Sequence, residues 1–298
     1  MIWAIVSKKE MDGFGTSPVF RFYREALGKE NIKLAIVDEQ DTLDFVQKDD
    51  IVLLRTANEN IINNIKKRGV VSTAENYETY QLISDKTILA NLLAKKGIKV
   101  PKQYDITEVV NGKTYFVKPK FGSDSMGISL QSICKSKKEV EKQISYIHNE
   151  LKDEAIIEDF IDGIDCTVAC WQPSDLCWSP AGKLHKPAST IHTCAIEVEC
   201  EETLGIQTRD CKVGFKECCS VLHDLKVKNI AKEVFKILNI KHHARIDFRK
   251  DKNGEYYLID VNLLPGLGPI DHFAKCLLLA RNMSYKDAIV AIINTSSK

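Results

Sequence analysis

Two stretches of the chain place chemistry-bearing side chains at alternating positions. The first is His243-Ala-Arg-Ile-Asp-Phe-Arg249 and the second is Tyr256-Tyr-Leu-Ile-Asp-Val-Asn262. Side chains alternate across a strand, so Arg245 and Asp247 share one face, as do Asp260 and Asn262. Asn253 and Gly254 between them are a strong hairpin signal, favouring a two-residue turn with positive φ at both positions. With that pair as the tip, Asp247 faces Asp260 and Arg245 faces Asn262. On the opposite surface Ile246 faces Val261 and Phe248 faces Ile259. Like charges opposed across strands repel by roughly 0.2–1 kcal/mol. Arg245 offsets part of that repulsion, and a hard divalent cation with oxygen ligands, such as Mg²⁺, would offset it better. A plain solvated hairpin face gives the same alternation, so the pattern alone leaves both readings open.

Three loops carry further polar groups. Residues 118–127 run Lys-Pro-Lys-Phe-Gly-Ser-Asp-Ser-Met-Gly between two expected strands. Exposed amides, the hydroxyls of Ser123 and Ser125, and Lys118 and Lys120 at the entrance suit a polyphosphate, although such a tip is equally an ordinary turn. Residues 156–168 form a hydrophobic strand ending in Glu158 and Asp159, then Gly163 and Asp165 before β structure resumes. Backbone groups there could meet an adenine edge and Asp165 a ribose, or the segment is two plain strands with a connector. After Asn262 a Pro/Gly-rich loop leads to Asp271, a natural N-cap for a helix over 273–280. That reads as a substrate loop beside the metal, or as loop and cap.

The elements that must hold these groups follow from periodicity. Short apolar runs at 2–6, 33–37, 51–54 and 70–71 read as strands, and apolar spacing at 18–27 and 59–67 as helices. This βαβ rhythm implies a small parallel layer. Its first loop, 7–15, lacks the G-x-G-x-x-G spacing of a dinucleotide site. Ser84 is an expected N-cap for a helix over 85–96, closed by Gly97. Strands are expected at 115–117, 128–130 and 155–161, and helices at 138–151 and 222–238. Residues 172–216, broken by Pro173, Pro180, Pro187 and Gly205, resist assignment.

Composition narrows the class. With 42 basic and 41 acidic side chains the net charge is +1, which disfavours nucleic acid as the main partner. No apolar run reaches the roughly 18–20 residues of a membrane helix, and no secretory signal is visible. A reducing cytoplasm is the expected setting, with free thiols. Of the ten cysteines, eight fall between Cys166 and Cys219.

In chain order these segments give a lysine on a helix, Lys-Pro before a glycine loop, Glu-Asp-Phe-Ile-Asp-Gly, Arg-x-Asp, Asp-x-Asn and Pro-Gly. That combination resembles the ATP-grasp superfamily, in its D-alanine–D-alanine ligase-like branch, over residues 84–298. The resemblance is strongest at 244–248 and 258–266 and extends to a family-like tail at 282–287. It implies an ATP-grasp fold of α/β and α+β parts: an amino-terminal α/β domain (1–83), a lid with the glycine loop (84–157) and a carboxyl-terminal catalytic domain (158–298). By motif position Lys86 and Lys118 would contact phosphates beneath Ser123 and Ser125. Glu158, Asp159 and Ile161 would line the adenine, and Asp165 would hold the ribose. Asp247, Asp260 and Asn262 would bind Mg²⁺, usually two ions, with Mn²⁺ able to substitute. Arg245 would steady the transferring phosphoryl group, Gly266 and Asp271 would meet substrate, and Lys183 or Lys186 would supply a further phosphate contact.

Such enzymes activate a carboxylate as an acyl phosphate and join it to an amine. The implied partners are an amino acid or small peptide, without nucleic acid or membrane, in a chain that a homodimer would suit. Several departures bear on the substrate. Asp260 replaces the usual glutamate, the glycine loop is one residue longer, and Asp271 stands where a carboxylate-binding serine is usual. The amino-terminal segment also lacks the branch's glycine-rich amino-acid site. The expectation is therefore ligation or cyclisation of something other than D-alanyl-D-alanine. Two rival readings are a non-catalytic, regulatory ATP-binding relative and a Cys-rich metal or Fe–S module between Cys166 and Cys219.

Overall fold

Alternating apolar strands and amphipathic helices build the amino-terminal layer. The computed structural model describes residues 1–8, 16–122, 125–174, 190–199 and 218–297. Strands β1 (Ile2–Ser7), β2 (Ile32–Val37), β3 (Ile51–Leu54) and β4 (Val71–Ser72) form a parallel sheet in the order β2-β1-β3-β4. Helices α1 (Thr16–Leu27) and α2 (Glu59–Lys67) make crossovers. The side chain of Asn58 accepts from the Ile61 amide to start α2, whose Ile61, Ile62 and Ile65 are buried. A helix not expected from sequence, α3 (Tyr77–Ser84), leads directly into α4 (Lys86–Lys95). Ser84 is therefore not the cap. Asp85 is, its carboxylate accepting from the Thr87 and Ile88 amides at 2.9 and 3.0 Å, while the Ser84 hydroxyl donates back to Gln81.

The second layer is antiparallel. Strands β5 (Gln103–Tyr104), β6 (Tyr115–Pro119), β7 (Ile133–Cys134) and β8 (Ala155–Asp159) run in the order β5-β8-β6-β7. Helix α5 (Lys137–Tyr146) covers them, and Val117, Cys134, Val140, Ile147 and Ile157 share one apolar cluster. The strand expected at 128–130 is absent: Leu130–Ser132 is a 3₁₀ turn and pairing with β6 begins at Ile133. Ser132 explains the shift, because its hydroxyl accepts from the Ser129 amide while its own amide donates to the Ser129 carbonyl. Such local bonds compete with a sheet ladder. The last turn of the next helix widens into a π turn at Ile147–Leu151.

The third layer is a five-stranded antiparallel sheet of β9 (Gly163–Trp171), β10 (His192–Glu199), β11 (Cys218–Val221), β12 (His243–Asp251) and β13 (Tyr256–Asn262), ordered β11-β10-β9-β12-β13. Helix α6 (Leu225–Ile237) packs Val234 and Phe235 into the cluster that holds Val168, Ile246 and Phe248. Helix α7 (His272–Ala280), followed by α8 (Tyr285–Ile293), packs Phe273, Cys276 and Leu277 with Ala169 and Ile196. Strand β10 lies inside the stretch that resisted assignment.

The β12–β13 turn differs from the two-residue expectation. The Gly254 amide donates to Asp251 O at 3.0 Å, and the Asp251 amide donates to Glu255 O at 2.9 Å. The loop thus holds three residues, with positive φ (77°) at Gly254 alone of the expected pair. Asp251 selects it by accepting from the Asn253 and Glu255 amides. Phe248 consequently pairs with Leu258, not Ile259. A bulge between Asp247 and Phe248 then absorbs Ile259 and restores Asp247↔Asp260, Ile246↔Val261 and Arg245↔Asn262.

Gly163 opens β9 where a Cβ would fall 1.9 Å from Lys250 O. The Gly163→Ala variant is expected to lose about 1–3 kcal/mol of stability through this overpacking. The measurement is urea unfolding, and a midpoint equal to that of the parent protein would show the strands can part freely.

Candidate active site

The bulge sets the central geometry. Asp247 and Asp260 stand opposite each other on β12 and β13. Arg245 Nε lies 2.9 and 3.1 Å from the two oxygens of Asp247, and the Thr167 hydroxyl donates to Oδ1 at 2.9 Å. Asp260 is less compensated, with Lys86 Nζ at 3.9 Å. Lys86, the first residue of α4, also donates to Gly122 O at the mouth of the glycine loop. An extra residue in a bulge is left out of the ladder, and here its carbonyl is used. Lys118 Nζ donates to Ile259 O at 3.2 Å and pairs with Glu158 Oε1 at 2.7 Å. Burial pushes the Glu158 carboxyl above its ordinary value, and Lys118 opposes that shift.

These groups border a slot of about 120 Å³ between the second and third sheets. Ile161, Ser125 and Met126 line it, with the rings of Phe116 and Phe160 6.4 Å apart. Ser123 lies outside the described residues, as do Lys183 and Lys186. Asp159 borders the slot, but its carboxylate is turned to Lys113 Nζ at 2.7 Å and the Tyr104 hydroxyl at 2.9 Å. Asp165 is buried, with one oxygen 2.7 Å from Arg249 Nη1.

A second cavity of about 450 Å³ opens on the other side. Lys86, Gly122, Arg245 and Asp260 line both spaces, so Asp260 and Arg245 mark their junction, while Asp247 faces the first. Tyr23, Tyr80 and Phe121 contribute aromatic wall. Asn262 Oδ1 accepts from the Leu264 amide at 2.8 Å, which starts the loop to α7. Asp271 stands at the N-cap position of α7 without a side-chain bond to the helix, because its Oδ2 accepts from the Gly268 amide at 2.6 Å. Gly266 permits this, since a Cβ there would meet Asp271 Cγ at 2.5 Å.

The donor set suits a hard divalent cation. Two opposed carboxylates and an amide oxygen with a second lone pair are oxygen ligands, and Mg²⁺ commonly takes one or two carboxylates plus substrate phosphates. Among the described residues no group of three or more His, Cys, Asp or Glu could hold a metal by itself. Cys166 and Cys170 are buried four positions apart on β9, about 13 Å along an extended strand, too far to chelate together. Burial raises the Cys166 thiol to about 12. Cys177, Cys200 and Cys211 fall outside the described residues.

The sequence model described as D-ala D-ala ligase C-terminus matches residues 91–294. The chain belongs to that family. A D-alanine–D-alanine ligase of Vibrio campbellii is 34% identical over 86 residues, 25% of this chain and 26% of that protein. The D-alanine–D-alanine ligase of Bacillus anthracis, solved with ATP, superposes with TM-score 0.67 at 19% identity, over 99% of this chain and 96% of that one. The VanG D-Ala:D-Ser ligase of Enterococcus faecalis gives TM-score 0.70 at 15% identity, over 99% and 98%. The three-sheet architecture is thus the ATP-grasp fold of the D-Ala-D-Ala ligases.

Several residues of this family member were missed from sequence. Arg249 lies on the same face as Arg245 and Asp247, a period of two that was legible. It also donates to Ile161 O and stacks over Phe160 with Cζ 5.3 Å from the ring centre. Thr167 gave no signal of its own. Arg55 follows β3 at the carboxyl end of a parallel sheet, where ligands commonly gather.

Lys118→Met would leave Glu158 buried without its cation, at an expected loss of about 3–5 kcal/mol. The sign with pH is fixed. A carboxyl held above its ordinary 4.5 by burial favours folding in acid, and that contribution fades as pH rises through the folded-state value. Urea unfolding of the variant at pH 5 and pH 8 should therefore show the larger deficit at pH 8. Equal deficits would mean that loss of Lys118 does not couple folding to the titration of Glu158.

Proposed function

We propose that this chain is an ATP-dependent carboxylate–amine ligase that joins an amino acid or small peptide through an acyl phosphate. The supporting observation is the opposed Asp247–Asp260 pair, with Asp260, Arg245 and Lys86 on the wall shared by two cavities and Lys118 lining the first. The slot takes ATP, with Glu158 and Ile161 beside the adenine, Asp165 and Arg249 toward the ribose, and Ser125 over the phosphates. Lys86 and Lys118 offset phosphate charge. Asp247, Asp260 and Asn262 would hold Mg²⁺, which supplies charge neutralisation for phosphoryl transfer. The second cavity presents the substrate carboxylate to the γ-phosphoryl group, and Arg245 reaches the reacting oxygens from the shared wall. An amine then attacks the acyl carbon, phosphate leaves, and an amide remains. No side-chain nucleophile is needed, so the buried thiols have no catalytic part. Asp271 beside Gly266 favours a cationic group over a carboxylate, which argues for a product other than D-alanyl-D-alanine.

The deciding experiment supplies ATP, Mg²⁺ and pooled D- and L-amino acids, and follows phosphate release with mass spectrometry of products. Asp247→Asn should lower turnover by at least about a hundredfold. Full activity in that variant would refute the metal assignment. Nucleotide binding with no turnover across the pool would favour a regulatory relative instead.

A further inference from the structure

Thr167 touches no substrate in the ligase reading, yet its position is tightly constrained. It lies fully buried in the middle of β9, paired with Asp247 of β12 on one side and with Ile196 of β10 on the other. Its carbonyl also accepts from the Cys276 thiol of α7 at 3.5 Å. Threonine is stiff at χ1, so a backbone held from both sides fixes the hydroxyl as well. That hydroxyl donates to Asp247 Oδ1 at 2.9 Å.

The two oxygens of Asp247 are treated unequally. Oδ1 receives both the Thr167 hydroxyl and Arg245 Nε, whereas Oδ2 receives Arg245 Nε at 2.9 Å. A carboxylate oxygen has two lone pairs, so Oδ1 is filled and, among the described residues, Oδ2 keeps one. Arg245 is a poor sole guardian of this arrangement. It also lines the second cavity and, in the ligase reading, reaches the reacting oxygens. Thr167 lines neither cavity, so its bond to Asp247 does not compete with substrate. Asp260 is held more loosely, with Lys86 Nζ 3.9 Å away and a side chain 28% exposed against 11% for Asp247.

Resting on the ligase reading above, we propose that Thr167 is a positioning residue that sets the divalent-cation affinity of the site. Its hydroxyl pins Oδ1 and so presents the remaining lone pair of Oδ2 to the cation, also when Arg245 turns to substrate. Asp247 is thus the fixed member of the pair, and Asp260 the member that adjusts to the ion. Groups that orient a metal ligand commonly govern about ten- to a hundredfold of metal affinity.

The test is a Mn²⁺ titration of the full chain, saturated with ADP and followed by electron paramagnetic resonance. Thr167→Val removes the hydroxyl and keeps the branched shape, and should weaken Mn²⁺ binding about tenfold or more. Thr167→Ser restores the hydroxyl and should stay within about threefold of the parent. Metal-free ADP affinity, measured by calorimetry, should be the same in all three proteins. In the phosphate-release assay, Thr167→Val should need about tenfold more Mg²⁺ for half-maximal turnover while its limiting rate stays within about threefold. Should the valine variant fail to fold, Thr167→Ala also lacks the hydroxyl and decides the same question. Parent-like Mn²⁺ affinity without the hydroxyl would overturn the proposal. So would an equal loss in Thr167→Ser, or a matching fall in metal-free ADP affinity, which would assign Thr167 to support of the fold. Phosphate release by the parent reports separately on the ligase reading. Turnover by a parent whose Mn²⁺ affinity Thr167→Val retains would sink only the role of Thr167.

Discussion

Two carboxylates facing each other on adjacent strands must be offset by nearby cations and donors, and much of the site is arranged around that requirement. Asp247 sits on a central strand, so its compensation comes from its own sheet: Arg245 two residues away and Thr167 on β9. Asp260 sits on the edge strand and reaches outward to Lys86, which belongs to a helix packed between the layers. The bulge beside Asp247 keeps the two acids in register and turns the Ile259 carbonyl toward Lys118. One extra residue in β13 therefore serves both the carboxylate pair and the lysine that neutralises Glu158. Low local dielectric strengthens each of these contacts and also makes each a liability if a partner is lost.

The sequence carried the site further than it carried the elements. The pairing of Asp247 with Asp260 followed from alternation and a two-residue turn, yet the turn has three residues and the strand a bulge. The two departures cancel at Asp247 and show at Phe248. Alternation could not reveal them, because the turn is selected by the Asp251 carboxylate, a side-chain contact to backbone amides. The same kind of contact misplaced the start of α4, where Asp85 and not Ser84 caps, and displaced a strand at Ser132. The apolar strands at 51–54 and the helix at 59–67 were legible because burial there follows one period without competing polar bonds. Arg55 and Thr167 were hidden for another reason: their partners lie 209 and 80 positions away.

Charge balance and cysteine content also look different in three dimensions. A net charge of +1 describes a chain in which cations are concentrated, with Lys86, Lys118, Arg245 and Arg249 all bordering one slot. The described cysteines split: Cys166, Cys170 and Cys194 fill apolar space within β9 and β10, whereas Cys218 is exposed. The first three behave as small hydrophobes, packed where a thiol fits as valine would.

Arg55 binds carbonyls of Leu264 and Pro265, and Ser72 pairs with Ser297, so the first sheet is stitched to the last quarter of the chain. During synthesis on the ribosome that sheet emerges early and waits. Its strands can pair among themselves, but the wall that faces Arg55 is made only after nearly all the rest has been translated. Closing so long a loop adds little entropy penalty beyond that of a moderate one, yet it orders events in time. Asp260 lines both cavities, so neither is complete until the last quarter of the chain has been added.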